Sequence, residues 1–246
     1  MKEVLGKVKN RVVNGMLDVL FPATCVGCGK EGRYMCPRCE GFVSETALIC
    51  PVCQQSSFDG ERHYTCKTRY GLEGLASAWE YEGLMKSLLH YVKYTGVAHA
   101  AEEVARCALE TMRKDEKRFK VFLSFLSSQD TYITYVPMHK KKERDRGFNQ
   151  AELFAHEIAK NTGKKILGTL EKIKDTKPQV DLAKEERLHN IKDAFVLSRA
   201  FKLSTHESMI LVDDIWTTGA TLKECCSVLK KGGAKEVWGF TLARTP

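Results

Sequence analysis

From about Tyr70 onward, short apolar runs alternate with stretches whose apolar residues recur every three or four positions. GLASAWEY (74–81), TYITYVP (131–137), MILV (209–212) and EVWGFTLA (236–243) are short, largely apolar and bounded by turn formers, so they read as strands. MILV has no polar member, which suits a strand covered on both faces, as in a parallel sheet. The intervening stretches 84–94, 98–113, 149–161 and 221–231 have helical spacing. Gly96, Gly163 and Gly232-Gly233 supply stop signals for three of them. This alternation predicts βαβ units, right-handed crossovers and an α/β fold on a parallel sheet. Two segments break the pattern. Residues 167–208 are irregular, with a polar, charged centre from Lys172 to Asn190, and such a segment in a compact α/β domain predicts a lid or binding loop. Residues 1–20 mix charges into an apolar background, which predicts an amphipathic helix and no signal peptide.

The apolar run at 209–212 ends in two adjacent aspartates, Asp213 and Asp214. An unpartnered carboxylate is too costly in a low-dielectric interior. The pair is therefore expected at the strand's carboxyl end, where open α/β sheets bind ligands. Thr217, Thr218, Gly219, Ala220 and Thr221 then lead straight into a helix. Unpaired N–H groups and the positive end of the helix dipole make that turn a phosphate cradle. Gly219 allows close backbone approach, and the threonines offer hydroxyl donors. A plain helix cap is the simpler reading, since Thr221 and Glu224 have capping-box spacing, and the two readings are compatible. A phosphate in the turn brings its sugar over Asp213 and Asp214, whose carboxylates can accept from two ribose hydroxyls or support a Mg²⁺. The ligand this chemistry predicts is a ribose 5-phosphate.

Composition adds a second module. The chain has 246 residues, enough for one good core and a smaller unit. Its 43% apolar and 28% charged residues are those of a soluble globular protein. No window is long and apolar enough for a membrane span, so a cytoplasmic protein is expected. The formal charge of +8 suits an anionic partner without selecting nucleic acid. Seven of ten cysteines fall between positions 25 and 66, and without an export signal they point to metal before disulfides. Cys25, Cys28, Cys36 and Cys39 form two pairs, each spaced by two residues, that can close on one structural Zn²⁺. Cys50, Cys53, His63 and Cys66 form a second set with one imidazole; the alternative leaves His63 as a solvated loop residue. With four protein ligands no coordination position remains for a reactive water, so the zinc is read as scaffold that supplies folding free energy. Cys107, Cys225 and Cys226 lie in helical patterns and are expected to be buried packing residues. The predicted division is a helix over 1–20, a zinc-ribbon module over 21–69 and an α/β body over 70–246.

The stretch ILVDDIWTTGATL resembles the PRPP-binding signature of type I phosphoribosyltransferases. The wider chain resembles the ComF family of competence proteins, themselves similar to amidophosphoribosyltransferases. The matching features are the FP-x2-CxxC head, Val136-Pro137-Met138-His139, Arg146-Gly147-Phe148-Asn149-Gln150, Thr176-Lys177-Pro178-Gln179, Glu186-Arg187, Asn190 and the signature. His63 departs from the pattern, because the family more often has cysteine there. The resemblance implies that Asp213 and Asp214 hold ribose hydroxyls and that Thr217 to Thr221 cradle the 5-phosphate. It also makes Pro137, Met138 and His139 the pyrophosphate loop, with Arg146 and Arg187 neutralising the leaving group beside Mg²⁺. The competing reading of both arginines is a solvated or ion-paired surface residue, and Asn149 and Gln150 can equally be helix caps. The implied activity is transfer of phosphoribosyl from PRPP to an acceptor that the sequence does not identify. No separate glutaminase unit and no covalent nucleophile are recognisable. A rival reading is a non-catalytic, DNA-associated adaptor with a PRPP- or nucleotide-sensing site. Its support is the Cys-rich head, the positive charge and the family's link to transformation, which implies single-stranded DNA and other competence proteins as partners; against it, the head lacks the strongly basic, aromatic-interleaved stripe expected of a single-strand binder. Tyr34, Phe42, Phe58 and Tyr64 could stack bases or pack the module.

Overall fold

The structure, a computed structural model, describes residues 22–176, 186, 190–199, 201 and 206–246. The helix expected over 1–20, Arg187 and the Lys177-Pro178-Gln179 part of the polar stretch lie outside the described residues.

Four strands build the main sheet: β1 (Gly74–Glu80), β2 (Thr131–Tyr135), β5 (Ser208–Trp216) and β6 (Val237–Arg244). Their order is β1-β6-β5-β2, and every pair is parallel. The helices between them are α2 (Gly83–Thr95), α3 (Ala98–Lys114), α4 (Lys120–Ser127), α5 (Lys140–Arg146), α6 (Gln150–Thr162) and α7 (Ala220–Lys231). Alternate residues of each strand serve opposite faces, as the two-residue period requires. On one face Ile210, Val212 and Phe240 join Phe122, Phe154 and the apolar stripes of α2, α3 and α6. On the other, Met209, Leu211 and Val237 pack with Leu222, Cys225, Cys226 and Leu229 of α7. The parallel α/β architecture expected from the alternation is the one observed.

Three details differ from the sequence reading. The strand expected to stop at Val212 runs on to Trp216, because β6 continues to pair with it: Asp213 lies opposite Thr241 and Trp216 opposite Arg244. The segment read as irregular contains a two-stranded antiparallel ribbon, β3 (Leu170–Lys172) with β4 (Phe195–Leu197). The capping box at Thr221 does not form. The helix starts one residue earlier behind Gly219, Thr218 Oγ1 accepts from the Ala220 N–H at 3.3 Å, and Glu224 instead accepts from the Asp193 N–H at 2.9 Å.

The Cys-rich segment carries one short helix, α1 (Pro37–Glu40), and a 3₁₀ turn (Tyr64–Cys66). It lies along the outer edge of β1, with antiparallel bridges Glu45 to Trp79 and Glu61 to Gly74. Its first half is tied to α3, where buried Glu103 accepts from the Met35 N–H at 3.0 Å and lies 3.6 Å from Arg33. Its second half contributes Ile49 to the core beneath α7.

Candidate functional site

Beyond Val212 the two sides of β5 differ. The β2 ladder ends with Tyr135 opposite Val212, whereas the β6 ladder runs on to Trp216. A notch therefore opens beside β5 where the doubled aspartate stands. Because successive side chains alternate, Asp213 falls on the face that carries Met209 and Leu211, and Asp214 on the face of Ile210 and Val212. One dipeptide thus supplies a carboxylate to each side of the sheet. Both open into a cleft of about 1040 Å³.

Asp213 and Asp214 are partly exposed. Asp213 is pushed well above the usual carboxylate range, first by burial and then by the neighbouring Asp214 charge; the N–H of Asp214, which donates at 2.9 Å, opposes this. Asp214 is held from the α6 side. Gln150 Nε2 donates to its Oδ2 at 3.1 Å, while Gln150 Oε1 accepts from Arg146 at 2.6 Å. Gln150 therefore links Arg146 to Asp214, and Asn149 alone caps α6, its Oδ1 accepting from the Ala151 N–H at 3.1 Å. Burial, and then the Asp214 charge, also raise the Tyr81 phenol, which lines the same cleft.

The turn after β5 borders the other side. Gly219 has φ of +72°, and it lines the cleft with Thr217, Ala220 and Thr221. Thr218 is absent from the lining, being 9% exposed. Pro137, Met138 and Arg146 line the cleft as well, whereas His139 caps α5, accepting from the Lys141 N–H at 3.4 Å with Asp175 4.0 Å away. Sequence reasoning did not single out Lys142 and Lys172, which also face this space. Lys142 donates to the Thr176 carbonyl. The Lys172 ammonium is lowered by burial and then by Lys142. Lys93, Tyr94 and Phe148 also line the cleft.

The cysteines gather as their spacing requires. Cys25, Cys28, Cys36 and Cys39 form one group and Cys50, Cys53, His63 and Cys66 another, with the ligand atoms of each group all within 4.8 Å of one another. Tetrahedral thiolates 2.3 Å from zinc would stand about 3.8 Å apart. The Cys28 and Cys36 sulfurs are 3.7 Å apart. In the second group His63 Nδ1 lies 3.4 Å from Cys53 Sγ, and Nε2 lies 3.0 Å from the Ser56 carbonyl. With its proton on Nε2 for that carbonyl, the imidazole presents the Nδ1 lone pair to the sulfurs, the arrangement a metal-bound histidine uses. The two knuckles share one backbone plan: the N–H groups of Gly29 and Gln54 each return to the carbonyl of the leading cysteine, at 2.8 and 2.9 Å, both with positive φ. Burial raises the Cys25 and Cys50 thiols, but backbone N–H donors outweigh it and bring them down to about 6 and about 7. Both groups fit a structural metal and are consistent with zinc. Cys107, Cys225 and Cys226 are fully buried, and burial raises each thiol, Cys107 to about 11. They are packing residues.

The aromatic side chains divide. Tyr34 packs on Tyr91 with ring centroids 5.8 Å apart, whereas Phe42, Phe58 and Tyr64 stand largely in solvent. No helix among the described residues is long and apolar enough to cross a membrane.

Residues 149–246 match the family model for the phosphoribosyl transferase domain. Competence protein F of Haemophilus influenzae is 34% identical over 235 residues, covering 94% of this chain and 94% of that protein. Competence protein ComFC of Streptococcus pneumoniae is 27% identical over 218 residues, 87% of this chain and 82% of that protein. The DNA utilization protein YhgH of Salmonella typhimurium is 26% identical over 224 residues, 91% and 89% respectively. Relatedness that spans the Cys-rich groups and the sheet alike, at a third identity over nearly the whole length, is membership: the chain belongs to the ComF family, with a phosphoribosyltransferase-like fold behind a metal-binding head.

Proposed function

We propose that the cleft binds PRPP with Mg²⁺ and transfers its phosphoribosyl group to an acceptor. The observation that carries this reading is the convergence of four chemistries on one cleft: two carboxylates, a phosphate-type turn, the cations Lys142, Lys172 and Arg146, and the Pro137-Met138 loop. In this reading the N–H groups of the turn at 217–221 take the 5-phosphate. Asp213 and Asp214 accept from the ribose 2- and 3-hydroxyls, and Gln150 keeps Asp214 aimed. Arg146, Lys142 and Lys172 face the pyrophosphate, with Arg187 assigned the same task by family resemblance. The C1–O bond to pyrophosphate breaks through an oxocarbenium-like state, and the electron pair leaves with the pyrophosphate as an acceptor nitrogen attacks C1. The work of the protein is orientation and stabilisation of charge on the leaving group. Carboxylate oxygens suit a hard cation, and Mg²⁺ would share the pyrophosphate charge.

Zn²⁺ is the metal assigned to both Cys-rich groups, as scaffold. The division into a helix over 1–20, a zinc module over 21–69 and a catalytic body over 70–246 belongs to the same reading, as does a cytoplasmic location. The names of the relatives, which speak of competence and DNA utilization, support a role in DNA uptake alongside other competence proteins. A second reading makes the protein a DNA-associated adaptor that only senses PRPP or a nucleotide. It is favoured by the exposed Phe42, Phe58 and Tyr64, whose rings can stack on the bases of single-stranded DNA.

Calorimetry with PRPP and Mg²⁺ tests the site. Binding by the wild type and its loss in Asp213→Asn/Asp214→Asn, with the fold intact, is expected; equal affinity in the double variant defeats the assignment. Pyrophosphate release that rises with an added acceptor distinguishes the enzyme from the adaptor.

A further inference from the structure

We infer that Gln54, the residue after the metal-binding Cys53, is a positioning residue for the phosphate turn. The second Cys-rich group thereby sets how tightly that turn holds an anion. The inference rests on the reading that this turn takes a phosphate.

The contact joins parts of the chain 164 positions apart: Gln54 Nε2 donates to the Thr218 carbonyl at 3.2 Å. A trans peptide is planar, with its C=O and N–H pointing opposite ways. The Thr218 carbonyl belongs to the same peptide as the Gly219 N–H. Holding that carbonyl toward the Cys-rich segment therefore turns the Gly219 N–H the other way, toward the cleft that Gly219 lines. Inside the turn Thr218 is fixed by its own hydroxyl, which accepts from Ala220 N–H, but that bond does not orient the Thr218 carbonyl.

Gln54 reaches the turn because of the knuckle. Its φ is +63°, a left-handed conformation in which a residue with a Cβ is rarely found, and its N–H donates to the Cys50 carbonyl at 2.9 Å. The equivalent position in the first knuckle is Gly29, which has no side chain to reach with. A glutamine kept in a strained position that glycine fills elsewhere is a residue kept for its side chain. Two further contacts seat the knuckle under the same helix start. Lys223 donates to the Val52 carbonyl at 3.4 Å, and Ile49 shares a core with Trp216 and Leu222. Cys53 directly precedes Gln54 and the Cys50 carbonyl accepts its N–H, so a metal held by the two cysteines fixes the backbone from which Gln54 projects.

The test uses the full-length metal-loaded protein, with ribose 5-phosphate plus Mg²⁺ as one calorimetric probe and inorganic pyrophosphate as the other. Gln54→Ala is expected to weaken ribose 5-phosphate by about three- to tenfold, the worth of one hydrogen bond. Metal content and pyrophosphate affinity stay as in the wild type, and the melting temperature falls by no more than about 2–6 °C, the worth of the same single hydrogen bond. Gln54→Met, which keeps the length of the side chain without a donor or a charge, repeats the loss. The Gly219 amide resonance of ¹⁵N-labelled protein is expected to shift in Gln54→Ala even without ligand. Unchanged ribose 5-phosphate affinity in Gln54→Ala, or an equal loss for pyrophosphate, overturns the inference. If the wild type takes up no ribose 5-phosphate, the reading of the site falls, and the Gly219 resonance then decides alone: unmoved, it removes the Gln54 contact as well.

Discussion

Gly219→Ala puts a single methyl group into the tightly packed turn at 217–221. Its cost has two separable parts. Gly219 has φ of +72°, and an L-residue in the left-handed region costs about 1–2 kcal/mol. The second part is space: a Cβ at this position would lie 2.2 Å from Cζ2 and Cη2 of Trp216. That indole is 1% exposed and packed in the core beneath α7, so it has little room to retreat. Overpacking of this kind costs about 1–3 kcal/mol. The sum is about 2–5 kcal/mol, which for a domain of about 150–250 residues lowers Tm by about 4–20 °C. Urea denaturation of the wild type, Gly219→Ala, Trp216→Leu and the double variant measures both parts. The smaller side chain at 216 should relieve the clash and leave the backbone part, so the two substitutions should couple by at least about 1 kcal/mol. A Gly219→Ala loss below about 0.5 kcal/mol would show that neither the dihedral nor the indole limits the turn, and an identical larger loss in both backgrounds would refute the clash with the indole and leave the dihedral alone.

Two further outcomes follow from the groups around the cleft and the cysteines. The native pKa of Asp213 is raised above that of the unfolded chain, so its carboxyl costs nothing below the ordinary value of about 3.9, where both states are protonated. Stability is then lost as pH rises from there through the raised native pKa. Asp213→Asn should therefore melt higher than wild type at neutral pH and lose that advantage near pH 3, and a gain that persists undiminished in acid refutes the electrostatic cause. His63→Ala should lower bound zinc from two per chain to near one, with Cys36→Ser removing the other ion; elemental analysis returning unchanged content for either variant rejects that ligand set.

What could be read from the sequence was what local pattern determines. The runs that became β1, β2, β5 and β6 are apolar because both faces of a parallel sheet are covered, and the cysteine pairs announce their groups by spacing alone. Helix α4 escaped because VFLSFL is a short, nearly all-apolar run, which pattern alone does not tell from a buried strand. The ribbon β3–β4 has three residues per strand, too few for any period. Asp213 and Asp214 looked like the end of a strand because hydropathy stops there. What prolongs the strand is pairing with β6, a partner first met at Val237. In the cleft, Gln150 sits at a helix start and looks like a cap. Its hold on Asp214 spans 64 positions, and no local signal reports it. Lys142 and Lys172 were indistinguishable from solvated lysines for the same reason.

The arrangement of β1 has a consequence for synthesis. Its inner neighbour is β6, and Ser77 and Thr241, whose hydroxyls meet across that pair, are 164 positions apart. On the ribosome β1 must therefore wait, unpaired on that side, through most of translation, and contacts so distant in sequence form slowly. An unpaired strand edge is a template for aggregation. The opposite edge is covered early, because the Cys-rich segment that bridges it at Glu45 and Glu61 precedes it in the chain and can close on its metal first. The head thus leaves the nascent strand with one open edge instead of two through most of synthesis.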